Sequence, residues 1–80
     1  MTRKDKKLLF GQSLKLYTLE IAVEQERDKL RLFAAWGVPH DDPDMIETLN
    51  RFNQTEMARK LLEDENSKLK KRLGVGYQPV

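Results

Sequence analysis

Leu9, Leu16, Val23 and Leu30 recur every seven residues, and Leu19 and Phe33 occupy the companion positions of the same repeat. Apolar residues at this spacing form one stripe along a helix, the seam of a coiled coil. Gln12 and Glu26 interrupt the seam with polar side chains. A corresponding line appears later in the chain: Met45, Phe52, Arg59, Asn66 and Leu73, with Thr48, Thr55, Leu62 and Leu69 between them. Arg59, Asn66 and the two threonines dilute this second seam, and Ile46, Leu49, Met57, Ala58 and Leu61 spread apolar surface onto a neighbouring face.

The punctuation between the seams predicts two helices. Thr2 and Asp5 have capping-box spacing, with aspartate in place of the usual glutamate, so a first helix starts at about Arg3. It runs to about Trp36, where Gly37 suits a left-handed cap, Val38 can supply the cap's apolar contact and Pro39 blocks continuation. Residues 37–42 then form a tight connector. Asp42 as N-cap, Pro43 in the first turn, and Asp44 and Glu47 near the positive end of the helix dipole open a second helix, expected over residues 43–73. Gly74 closes it behind Lys70, Lys71 and Arg72, leaving residues 74–80 as a flexible tail.

Helices of these lengths are about 45 to 50 Å long. Matched lengths and a short connector predict an antiparallel hairpin. Folding at the connector pairs residues whose numbers add to roughly 79, setting Phe33 against Ile46, Leu30 against Leu49 and Phe10 against Leu69. The expected hairpin core is therefore Leu9, Leu16, Leu19, Val23, Leu30, Phe33, Ile46, Leu49, Phe52, Leu62 and Leu69, with Trp36 packing beside the connector on Met45, Ile46 and Leu49. The polar interruptions also coincide in this register. Asn66 falls near Gln12 and Ser13, Arg59 near Glu20, and Glu26 with Arg27 near Asn50 and Asn53, as polar layers that would fix register.

Phe10, Leu14, Tyr17 and Ile21 form a further apolar stripe, on a face of helix 1 that helix 2 cannot cover at the same time. Leaving four such side chains in water forgoes on the order of 6 to 10 kcal/mol, comparable with the whole stability of a domain. A second copy of the chain is the economical cover. The fold class expected is all-α: a helical hairpin that dimerises into a four-helix bundle or coiled coil, with these four residues as the oligomer or partner interface.

Composition narrows the functional classes. The chain has 80 residues and no cysteine, which removes disulfides, thiolate ligands and a cysteine nucleophile, and points to a reducing, cytoplasmic setting. No apolar run approaches the roughly 20 residues needed to cross a bilayer. His40-Asp41-Asp42-Pro43-Asp44 is the one cluster that resembles a metal or acid/base site, but its residues stand where a helix start wants caps and negative charge. Gly74-Val75-Gly76 follows a helix, whereas a dinucleotide-binding glycine loop follows a strand. The expectation is a protein without catalytic residues, cofactor, metal or small-molecule substrate.

Charge is distributed along the molecular axis. Arg3, Lys4, Lys6 and Lys7 begin helix 1 and Lys68, Lys70, Lys71 and Arg72 end helix 2, so an antiparallel fold collects all eight at the open end. Asp41, Asp42, Asp44 and Glu47 collect at the connector. Two functions compete on this basis. The first is a homo-oligomeric adaptor, assembly scaffold or small inhibitor whose partners are itself and another protein. The second is nucleic-acid binding through the basic end. Tyr77 and the chain end at Val80 leave room for a short recognition segment in the tail.

Overall fold

The computed structural model describes residues 2–74 and consists of two helices, α1 (Arg3–Ala35) and α2 (Pro43–Leu73), packed against each other as a hairpin. The tail beyond Gly74 lies outside the described residues.

Each helix end is made by the residues that signal it. The Thr2 side chain accepts from the Asp5 backbone N–H at 3.1 Å, and the Asp5 carboxylate accepts from the Thr2 N–H at 3.2 Å, completing the capping box. At the other end of α1 the Val38 N–H donates to the Phe33 carbonyl at 2.9 Å and the Gly37 N–H to the Ala34 carbonyl at 3.1 Å. Those two bonds are a Schellman cap. It requires a left-handed residue, and Gly37 supplies it at φ 71°. Trp36 is thus the cap residue, so the helix proper ends one residue sooner than expected. The Asp42 carboxylate accepts from the N–H groups of Asp44 at 2.9 Å and Met45 at 3.4 Å, with Pro43 in the first turn, and Gly74 closes α2 at φ 68°.

α1 is continuous through Glu24 to Lys29, although six polar residues in a row occupy that stretch. The seven-residue repeat explains this. Within the run Glu26 falls on the seam and Arg27 flanks it, while Glu24, Gln25, Asp28 and Lys29 are exposed without cost to the packing.

Burial follows the two seams closely. Val23, Met45 and Leu69 are buried, while Leu9, Leu16, Leu19, Leu30, Phe33, Phe52 and Leu62 are half-buried. Two cylinders in contact along one line shield little more than that line, which is why so few side chains disappear from solvent. Thr48 and Asn66 are buried with them. The Thr48 hydroxyl donates to the Asp44 carbonyl at 2.8 Å, so its burial leaves no polar atom wanting.

Four expected placements are corrected. Ile46 and Leu49 are not core residues: they remain 45% and 36% exposed, and Met45 and Thr48 hold the seam in that turn. Pairing by residue number set the register to within one position, but one position is about 100° around a helix, enough to carry a side chain off the seam. Trp36 is 69% exposed and does not enter the core. Its ring lies 6.2 Å from that of Phe33 at a tilt of 54°, on the outside of the cap. Phe10 is equally exposed and does not pack on Leu69; the crevice beside Leu69 is lined from α1 by Leu8 and Gln12.

Candidate interaction surfaces

Phe10, Leu14, Tyr17 and Ile21 are all exposed, between 38% and 69%, and form a continuous line on the N-terminal half of α1. At 100° per residue the line stands roughly 140° around the helix from the hairpin seam, so it faces away from α2. A shallow apolar groove beside it is lined by Gly11, Leu14, Lys15, Thr18 and Leu19. Gly11 is a helix-interior glycine for which the hairpin offers no steric reason: a Cβ built there would meet nothing within 4 Å. Glycine costs about 1 kcal/mol relative to alanine in such a position.

The same line continues in both directions with charge. Arg3 and Lys7 precede Phe10 at intervals of seven and three residues, and Glu24 and Asp28 follow Ile21 at three and seven; all four are exposed. The alternating four-and-three spacing from residue 3 to residue 28 was legible in the sequence, yet apolar residues alone do not reveal it because its two ends are ionic. Leu8, Leu32, Met57 and Leu61 are further exposed apolar side chains, scattered off this line.

Inside the hairpin the polar residues meet in part as expected. Asn66 donates through its side-chain amide to the Gln12 carbonyl oxygen at 3.2 Å, a bond across the seam. Arg59 and Glu20 line one crevice with Val23, Glu24, Arg27 and Glu56, but the carboxylates that Arg59 bonds are on its own helix, Glu56 at 2.5 Å and Glu63 at 2.7 Å. The Arg59 guanidinium holds the Glu56 carboxyl below the usual glutamate range, and Glu56 in turn raises the guanidinium. Glu56 Oε2 and Glu26 Oε2 are buried without a hydrogen-bond partner. Asn50 and Asn53 are exposed, and the Arg27 guanidinium instead stacks over the Phe52 ring at 5.9 Å from its centre.

The hairpin brings the start of α1 beside the end of α2, where Leu8 and Gln12 share a crevice with Lys68 and Arg72. Hydrogen bonds from the Thr2 hydroxyl and backbone depress the Asp5 carboxyl most strongly, and the charge of Arg72 across the open end adds to them. Of the eight basic residues there, Lys68 is engaged with Asp64 at 3.0 Å. At the connector, Asp42 acts as the cap, Glu47 pairs with Arg51 at 2.7 Å, and His40 and Asp41 are exposed. Among the described residues no group of three or more His, Asp or Glu side chains is arranged to hold a metal, and no helix is long and apolar enough to cross a membrane.

These features define a class by architecture: an all-α, two-helix hairpin with a polar-interrupted seam and a second, uncovered stripe. In comparisons with protein-family models, curated proteins and solved structures, nothing matches this chain.

Proposed function

We propose that the chain is a protein-interaction module without turnover chemistry, a helical hairpin that associates with itself through Phe10, Leu14, Tyr17 and Ile21 and serves as an adaptor, scaffold or small inhibitor. The observation that carries this reading is the exposure of all four side chains in one line facing away from the hairpin partner. These side chains are about half covered on the hairpin, so burying the rest would contribute on the order of 3 to 6 kcal/mol per chain, and both chains contribute toward offsetting the cost of association.

Light scattering across a dilution series tests it. A dimer is expected for the native chain, and Leu14→Asp with Ile21→Asp should give a monomer of unchanged helicity by circular dichroism. A double variant that is still dimeric would remove these residues from the interface.

The second reading is binding of a polyanion such as duplex DNA at the open end, supported by the convergence of Arg3, Lys4, Lys6 and Lys7 with Lys68, Lys70, Lys71 and Arg72. Charge reversal at Lys6, Lys7, Lys70 and Lys71 should then abolish retardation of duplex DNA at moderate salt. Retardation that survives both the reversals and added salt would sink this reading.

A further inference from the structure

We infer that two copies of the chain associate antiparallel through α1, with Arg3 and Lys7 of each copy facing Asp28 and Glu24 of the other. This rests on the self-association reading above and adds the orientation, the register and the residues that select them.

The outward line of α1 has the order Arg3, Lys7, Phe10, Leu14, Tyr17, Ile21, Glu24, Asp28, two cations, four apolar residues and two carboxylates at alternating intervals of four and three. That is the spacing of a second coiled-coil seam on the same helix. Laid antiparallel on a second copy, the line matches itself when facing residue numbers add to 31: Arg3 with Asp28, Lys7 with Glu24, Phe10 with Ile21 and Leu14 with Tyr17. Every apolar residue then meets an apolar one and every charge its opposite. Laid parallel and in register, each residue meets its own kind, so Arg3, Lys7, Glu24 and Asp28 would all face like charges. Slipping the antiparallel register by one heptad sets charges against the apolar block.

Three features of the single hairpin agree with this arrangement. Arg3 and Lys7 are like charges one turn apart, as are Glu24 and Asp28, and each pair is unfavourable on an isolated helix. Arg3 and Lys7 also stand at the positive end of the α1 dipole, where acidic groups belong. Carboxylates from a second copy would offset the penalties at Arg3 and Lys7, and its cations the repulsion between Glu24 and Asp28. The third is the groove of Gly11 and Thr18 beside Leu14, which lets a second helix approach closely along that flank. Asp28 already has a loose contact with Arg31 on its own helix, at 3.5 Å with both side chains largely exposed, which leaves its remaining oxygen open to a second cation.

The geometry fixes the shape of the assembly. Because the outward line is roughly 140° from the hairpin seam, the two α1 helices lie back to back and the α2 helices are outermost, giving a four-helix slab. The contact is isologous, so it closes at two chains. The two basic ends come to opposite ends of the slab.

The absence of cysteine makes the test direct. Lys7→Cys and Glu24→Cys are prepared separately and oxidised alone and mixed. In the antiparallel dimer residue 7 and its counterpart are about 25 Å apart along the axis, so each variant alone stays uncrosslinked and the mixture gives a disulfide between positions 7 and 24. Separately, Lys7→Glu and Glu24→Lys should each weaken the native dimer roughly tenfold at low salt, and the double reversal should restore it to within about threefold. Disulfides formed by either variant alone, or single reversals without effect, would overturn the antiparallel arrangement while leaving self-association intact. A native chain that is monomeric at every concentration would overturn self-association itself, and this inference with it.

Discussion

At the scale of single residues, the polar members of the seam carry more information than the apolar ones. Gln12 and Asn66 are the only seam side chains joined by a hydrogen bond between the helices among the described residues. A buried amide that loses its partner costs about 1 to 3 kcal/mol, whereas removing both partners together is close to neutral. Asn66→Ala orphans the half-buried Gln12 amide, which water can reach, and is therefore expected to destabilise the hairpin by about 1 kcal/mol in urea titrations. Asn66→Leu with Gln12→Leu should recover most of the loss, but with a less unique register visible as broadened amide resonances. If the double variant is as unstable as the single one, the pair is not acting as a unit. Glu26 belongs to the same set, since its residue position is on the seam and one of its oxygens is buried without a partner.

At the scale of the elements, the ends were readable and the lateral positions less so. Capping is local, involving residues within five positions of each other, so Thr2, Asp5, Gly37, Val38 and Asp42 declare their roles in sequence and keep them in the structure. Ile46, Leu49 and Trp36 do not, because whether an apolar side chain near a connector enters the core depends on the rotation of one helix about its axis, which no local residue specifies. Gly11 is informative at this scale. As nothing surrounds its α-carbon in the hairpin, Gly11→Ala should raise helix stability by about 1 kcal/mol, a shift of the melting temperature of roughly 4 to 8 °C for a domain of this size. Calorimetry of the Leu14→Asp, Ile21→Asp background, with and without Gly11→Ala, isolates the hairpin's share. No increase there would mean that the glycine is needed by the hairpin itself.

At the scale of the whole molecule the extents are 52 × 26 × 15 Å, a slender body of one helix pair with a large surface for its volume. Electrostatics then act mostly through solvent. Asp5 is held below its ordinary 3.8 by the Thr2 hydrogen bonds, and Glu56 below its ordinary 4.5 by Arg59. A group depressed in the folded state stabilises the fold above its unfolded pKa and ceases to do so as pH falls through its folded value. Stability should thus be level near neutrality and decline below about pH 4.5. Thr2→Ala and Arg59→Met should each flatten part of that decline in thermal melts between pH 3 and 6. An acid limb unchanged in both variants would show that other carboxylates produce it.

The sequence by itself determined that there are two helices, where each begins and ends to within one residue, and which heptad positions line the seam, because these follow from periodicity and from caps that reach only a few residues. It also placed Phe10, Leu14, Tyr17 and Ile21 on a face apart from that seam. Only the tertiary structure decided that Met45 and Thr48, rather than Ile46 and Leu49, close the core at the connector end, that Trp36 stays outside, and that Arg59 turns to Glu56 and Glu63 on its own helix. The rotation of one helix against another is set by the sum of many weak side-chain contacts along the whole interface. A shift of a single position reassigns which side chains are buried, and that sum exists only once both helices are in place.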